Sequence, residues 1–209
     1  MAQTDYPATL EIQYPTKLNR ETTFFRLFLA LPIFILIVIL TGGDNSITTN
    51  GTVHIGTGSG VIAGITIATA LMIFFRQRYP KWWFDFALEL HRFGMRVRAY
   101  LFLLTDKYPS TVEAQSVTMN LRYPDAEKDL NQYMPLFKWI LVFPHYIVLF
   151  ILYIGLIFSV IVAWFSIIFT GKYPPRLFNY VVGVNRWEWR VVAYAHLLAT
   201  DEYPPFSLR

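Results

Sequence analysis

Three long apolar stretches interrupt an otherwise mixed sequence. They run from Phe24 to Leu40, from about Ile55 to Phe75, and from Leu136 to Thr170. A helix needs about 20 residues to cross the hydrocarbon core of a bilayer, so the first two stretches predict one hairpin. The third is too long for one crossing. We predict a second hairpin that turns at Tyr153-Ile154-Gly155, because glycine admits the backbone angles of a tight turn. A re-entrant hairpin that never fully crosses is the alternative.

The charged residues are distributed unevenly around these stretches. The loop of the first hairpin, Thr41 to Gly58, contains Asp44 but no Lys or Arg, and the turn of the second hairpin contains no charge. The positive-inside rule therefore predicts that both termini and the basic segments are cytoplasmic. Because loops often carry binding sites, we expect the loop to contact a partner, with a tolerated insertion as the alternative.

Composition agrees with a membrane location. Of the 209 residues, 55% are hydrophobic and 15% are charged, against about 25% charged residues in soluble domains. The absence of cysteine excludes disulfides and thiolate metal sites. A net charge of +4 suits the anionic cytoplasmic leaflet. We expect no nucleic-acid partner, because interfacial aromatic residues are interspersed among the basic ones.

The chain contains an internal repeat. Residues 79–100 align without gaps on residues 173–194, and Thr105-Asp106-Lys107-Tyr108-Pro109 matches Thr200-Asp201-Glu202-Tyr203-Pro204. We predict an all-α integral membrane protein with two parallel pseudo-symmetric repeats, residues 1–110 and 111–209. Each repeat comprises a transmembrane hairpin (about 24–75 and 136–170) and a cytoplasmic-face amphipathic helix (about 80–104 and 174–199).

Two short segments follow a strand pattern instead. Thr9 to Tyr14 and Val117 to Tyr123 alternate apolar and polar residues. Either the two strands pair with each other beneath the membrane, or an edge strand docks on a partner.

The motifs of the second repeat resemble a known family. Phe169-Thr170-Gly171-Lys172-Tyr173-Pro174, then Arg186, Arg190 and the Thr-Asp-x-Tyr-Pro end, are similar to a prokaryotic membrane family known as domain of unknown function four-three-eight-nine. The resemblance extends over nearly the whole chain, both repeats included. It implies a multi-span membrane protein and supplies no activity, ligand or catalytic residue. We expect the protein in the prokaryotic plasma (inner) membrane. The long loop of the first hairpin departs from the family pattern.

Each predicted cytoplasmic-face helix carries two arginines on one stripe. In the first helix Asp85 and Glu89 lie on the same stripe and neutralise them, whereas the second helix has no acid there. Its arginines need an anion, either an Asp of a Thr-Asp-x-Tyr-Pro segment or a lipid phosphate. Gly183, which replaces Glu89, leaves room for another backbone or a headgroup. The candidate lipid-headgroup or ion-pair residues are Arg92, Arg96, Arg186, Arg190, Asp106 and Asp201.

Other candidate site residues are few. We predict that four tryptophans anchor the helices at the membrane interface. His145 lies in an apolar stretch as a hydrogen-bonded packing residue or, alternatively, as a cofactor ligand. The histidines are scattered without metal-ligand spacing, so we expect no metal, no cofactor and no catalytic residue. The predicted anchors are Trp82, Trp83, Trp187 and Trp189.

These patterns favour a non-enzymatic accessory or scaffolding subunit that binds membrane lipids and a protein partner, in a membrane complex or as a homo-oligomer. A small transporter or channel with a site between the repeats is the alternative. The apolar stretches disfavour it, because ion pathways usually place ionisable residues at mid-membrane.

Overall fold

The computed structural model describes residues 6–33, 35, 61–110 and 115–209. Within these residues the chain is mostly helical with one small sheet. We label the elements in chain order: β1 Ala8–Ile12, α1 Arg20–Phe24, α2 Arg26–Leu29, α3 Val61–Arg76, α4 Lys81–Leu101, β2 Val117–Leu121, α5 Met134–Leu141, α6 Phe143–Thr170 and α7 Pro175–Ala195.

The two predicted strands pair with each other. β1 and β2 are antiparallel, with Leu10 opposite Met119 at the centre of the ladder. Both strands alternate strictly between buried and exposed residues, as the sequence pattern predicted. One face of the sheet is therefore apolar and covered, and the other face is polar and exposed.

Helices α4 and α7 begin at the two matched Tyr-Pro pairs. Pro80 and Pro174 precede the first helical residues, where the missing backbone donor costs nothing. The preceding tyrosines, Tyr79 and Tyr173, are buried. Their carbonyl oxygens accept hydrogen bonds from the hydroxyls of Tyr123 and Tyr14 respectively. The residues that follow each strand therefore contact the Tyr-Pro pair in the other half of the chain.

The predicted turn of the second hairpin is wrong. α6 is one continuous helix of 28 residues that passes through Gly155 without a break. Gly155 instead provides space for Tyr180 of α7. A Cβ atom at position 155 would lie 2.6 Å from the Tyr180 hydroxyl, which donates to the Leu152 carbonyl. The glycine is required for close helix packing, and its turn-forming capacity is not used.

Two elements carry most of the apolar length. α6 is the one helix among the described residues that is long and apolar enough to cross a membrane, with a mean hydropathy of 2.8 over its best window. α3 is apolar but shorter. The predicted loop Thr41 to Gly58 lies outside the described residues.

Candidate functional site

The acids of the two Thr-Asp-x-Tyr-Pro segments bind cations that lie far away in the sequence. Asp106 forms an ion pair with Arg26, and Asp201 lies 2.8 Å from the Lys138 ammonium. Both cations have almost fully buried side chains, 3% and 1% exposed respectively. A buried cation without a counterion is energetically costly, because apolar surroundings cannot solvate its charge. The two carboxylates therefore neutralise charges that the apolar segments cannot solvate.

Main-chain groups complete both ion pairs in the same way. Arg26 donates to the Thr105 carbonyl at 2.8 Å, and Lys138 donates to the Thr200 carbonyl at 2.7 Å. The backbone N–H of Asn19 donates to Asp106, and that of Asn131 donates to Asp201, each at 2.6 Å. The recurrence of one bonding pattern at matched sequence positions indicates a structural role for both acids.

The expected partners of Arg186 and Arg190 therefore need correction. Neither arginine pairs with Asp106 or Asp201, because Arg26 and Lys138 occupy those carboxylates. Arg186 donates to the Leu10 carbonyl of β1 at 3.0 Å. Arg190 donates to the main-chain oxygens of Ser207 and Arg209, at 2.6 and 2.7 Å.

Arg190 is almost completely buried, with 3% of the residue exposed. Burial and the neighbouring charge of Arg186 lower the pKa of its guanidinium. The main-chain oxygens of Ser207 and Arg209 replace water as hydrogen-bond acceptors, so Arg190 holds residues 207–209, the C-terminal segment, against α7.

Gly183 makes this contact possible. A Cβ atom at position 183 would lie 2.8 Å from the Leu208 carbonyl oxygen and 3.0 Å from its Cβ atom. The expectation that this glycine leaves room for another backbone is confirmed, and the backbone is that of the C-terminal segment.

The arginines of α4 use different partners. Arg92 pairs with Glu89, as the stripe predicted, and its Nε donates to the Met119 carbonyl of β2 at 3.1 Å. The prediction that Asp85 also neutralises an arginine of this stripe is wrong, because Asp85 pairs with Lys81. Arg96 donates to the Ser110 carbonyl at 2.6 Å. Arg92 and Arg186 thus bind the two strand residues that lie opposite each other in the sheet. A lipid role for these arginines stays a prediction.

Sequence reasoning missed a polar cluster between α4, α6 and α7. Glu188 forms an ion pair with Arg98 and accepts a hydrogen bond from Tyr153. Burial opposes the charge on Arg98, but Glu188 and Tyr153 outweigh it and raise the pKa of Arg98. The sequence did offer a signal for this pair. Arg98 of α4 and Glu188 of α7 both lie off the arginine stripe, and their charges are opposite.

Two histidines adjoin this cluster. Burial lowers the pKa of His91, although a hydrogen bond between its Nδ1 and the Ala87 carbonyl at 2.8 Å opposes the shift. Burial also lowers the pKa of His196, against the attraction of Glu188. Both rings are therefore predominantly neutral at pH 7.

The predicted tryptophan anchors divide into two pairs. Trp82 is 69% exposed, and Trp83 is half-buried and donates to the Thr69 hydroxyl at 2.8 Å. Trp187 and Trp189 are core residues, 5% and 1% exposed, so their assignment as interfacial anchors is wrong. The sheet, α6 and the C-terminal segment surround α7, and its tryptophans are covered by protein.

His145 packs inside the protein. Its Nδ1 accepts a hydrogen bond from the Trp187 indole at 2.9 Å, and its ring stacks on Phe206 with centroids 4.0 Å apart. These contacts agree with the packing interpretation. Within residues 6–33, 35, 61–110 and 115–209, no group of three or more His, Cys, Asp or Glu side chains is arranged to bind a metal.

One family model matches part of the chain. Residues 135–207 match the family model described as Domain of unknown function (DUF4389), which confirms the resemblance inferred from the motifs. The match covers α5, α6, α7 and the second Thr-Asp-x-Tyr-Pro segment. No curated protein and no solved structure matches the chain.

Proposed function

We propose that this protein is a non-enzymatic accessory or scaffolding subunit of a prokaryotic plasma-membrane complex, and that it binds lipid and a protein partner. The observation that carries the proposal is the exposed apolar surface of α1, α2, α5 and α6. Many large apolar side chains of α6 are exposed, including Phe150, which is 70% exposed. A surface of this extent requires a bilayer or a membrane partner to cover it.

The described charges support structural roles. Asp106, Asp201, Arg186 and Arg190 all bind groups of the protein itself. Such contacts suit a rigid scaffold, since each ties distant segments of the chain together.

The orientation belongs to the same proposal. Both end segments lie on the cytoplasmic side, and a direct contact supports placing them together, because the Tyr6 hydroxyl donates to the Glu202 carbonyl at 3.2 Å. We further propose that the chain arose by duplication, which the matched ion pairs of Asp106 and Asp201 support. Because α6 contains no turn, it is not a second hairpin. The proposal that the chain crosses the membrane more than once therefore depends on the predicted first hairpin.

Purification in mild detergent tests the accessory role. The tagged protein should retain one partner at constant stoichiometry through size-exclusion chromatography. As a matched pair, Glu11→Arg changes the exposed polar face of the sheet, and Glu127→Arg changes an exposed loop residue. Loss of the partner from the first variant only would place its binding on the sheet. A homo-oligomer without any partner would contradict the proposal.

A small transporter or channel is the second candidate, and one observation favours it. The ionisable cluster of Arg98, Glu188 and Tyr153 lies where α4 and α7 meet α6. An apolar cavity of about 530 Å³ opens nearby, lined in part by Tyr146 and His196. Solute flux into liposomes that Glu188→Gln abolishes and Glu127→Gln leaves intact would favour this candidate.

A further inference from the structure

The segment from Tyr6 to Tyr14, which contains β1, runs along α7. The Tyr6 hydroxyl donates to the Arg190 carbonyl, at the end of the helix. Leu10 accepts from Arg186 in the middle, and the Tyr14 hydroxyl donates to Tyr173, just before the helix begins. The three contacts follow one another along this segment and occur in reverse order along α7, so the segment and the helix are antiparallel with nearly aligned axes.

α6 runs along α7 on another side. Trp187 donates to His145 near the start of α6. Tyr180, seven residues earlier in α7, donates to Leu152, seven residues later in α6. Between these two contacts the position changes by seven residues in each helix, in opposite directions along the chain. α6 and α7 are therefore antiparallel and in contact over this length. α7 therefore lies between the sheet and α6, and the axes of β1, α6 and α7 are nearly aligned.

The outer faces of this arrangement have opposite character. The sheet exposes Thr9, Glu11, Thr118 and Asn120. α6 exposes apolar side chains along its length, from Phe150 to Phe165. If α6 crossed the bilayer, β1 would run through the hydrocarbon beside it with Glu11 exposed and a free strand edge. Neither feature is tolerated in lipid, because the unpaired polar groups have no partner there.

Basic residues follow the apolar helices directly. Lys172 and Arg176 come after α6, Arg76 is the last residue of α3, and Arg78 follows it. All four are exposed. Their charge is complementary to anionic phospholipid headgroups at the edge of an apolar surface.

We propose that α6 lies along the plane of one anionic phospholipid leaflet, with its apolar face in the acyl chains and the sheet facing the cytoplasm. The inference rests on the membrane location proposed above and goes beyond it by fixing the direction of the helix. α6 is about 42 Å long at 1.5 Å per residue. In-plane insertion accommodates that length without placing either end at mid-membrane.

A depth measurement tests the orientation. Because the chain has no cysteine, single cysteines at Phe150, Ile154, Ile161 and Phe165 give clean spin-labelling sites on one outward face of α6. The protein is reconstituted in vesicles of phosphatidylglycerol and phosphatidylethanolamine, and label depth is derived from collisions with oxygen and a water-soluble nickel chelate. All four labels should lie at one depth within about 5 Å.

The outcomes distinguish the in-plane orientation of α6 from the membrane location of the protein. A steady gradient of about 20 Å between positions 150 and 165, at 1.5 Å per residue, would overturn the in-plane orientation and leave the membrane location intact. Four water-exposed labels would overturn both. As a check on sidedness, Tyr133→Cys and Lys172→Cys, at opposite ends of the α5–α6 segment, should react with an impermeant reagent from the same side of sealed vesicles. Reaction from opposite sides would also overturn the proposal.

Discussion

Helices α4 and α7 each carry two arginines at matched positions, but α4 also carries an acid on that stripe where α7 has none. The second arginines, Arg96 and Arg190, both donate to main-chain oxygens. α4 supplies Glu89 to Arg92 on its own exposed stripe. α7 replaces that acid with Gly183, and the space admits the C-terminal segment, whose main-chain oxygens bind Arg190. The loss of an acid beside an arginine therefore does not by itself indicate a site for an external anion. A glycine at the vacated position allows the protein's own backbone to provide the acceptors.

We expect the largest loss of stability when Gly183 of α7 is replaced by glutamate, the residue at the matched position 89 of α4. In Gly183→Glu, the new Cβ atom would lie 2.8 Å from the Leu208 carbonyl oxygen, so the C-terminal segment must move and Arg190 loses its acceptors. We expect the free energy of unfolding to fall by about 3 kcal/mol, measured by chemical denaturation in mild detergent.

The matched control is the reverse substitution. Glu89→Gly removes an exposed ion pair and adds a glycine to a helix, so it should cost about 1 kcal/mol. Equal losses in both variants would mean that the C-terminal segment is not packed on α7 as described.

A smaller difference should separate the arginines themselves. Arg190→Gln leaves the main-chain oxygens of Ser207 and Arg209 without their charged donor, and we expect a loss of about 2 kcal/mol in the free energy of unfolding. Arg92→Gln acts at a more exposed site and should cost about 1 kcal/mol. Both losses should be the same in neutral and anionic lipid. A loss that grows with anionic lipid would instead indicate a headgroup site.

The smallest effect is a difference in pH dependence. His91 of α4 and the matched Asn185 of α7 each bond to the carbonyl of the residue four positions earlier. Burial lowers the pKa of His91, so the unfolded chain takes up a proton at about pH 6.5 while the folded chain does not. Stability should therefore fall as the pH drops below about 6.5 toward the folded-state pKa.

His91→Asn copies the α7 residue and should weaken this pH dependence. His196, Arg98 and Glu188 face the ring, and His196 should retain a share of the effect because its pKa is also lowered. Identical stability profiles for the variant and the wild-type protein between pH 5 and pH 8 would exclude His91 as a contributor.

Local patterns predicted the elements well and the long-range contacts poorly. The alternation in the strands and the Tyr-Pro starts of α4 and α7 are local signals, and the structure has these elements close to the predicted bounds. The role of Gly155 depends on Tyr180 of another helix. No local pattern distinguishes a packing glycine from a turn glycine within an apolar stretch.

The ion pairs were missed although a signal was present. Arg26 and Lys138 are lone cations near the starts of two apolar stretches, and each requires an acid. The two matched Thr-Asp-x-Tyr-Pro segments offered one acid to each. Considering only the stripes of α4 and α7 led instead to Arg186 and Arg190, because those arginines had lost their local acids.

A pair of double-mutant cycles most directly tests the claim that these charges are internal structural contacts. The free energy of unfolding is measured for Lys138→Met, Arg190→Gln, Asp201→Asn and the two doubles that contain Asp201→Asn. The account predicts coupling of at least about 1 kcal/mol between Lys138 and Asp201, and additivity within about 0.5 kcal/mol for Arg190 and Asp201. Strong coupling of Arg190 to Asp201, with none between Lys138 and Asp201, would contradict it.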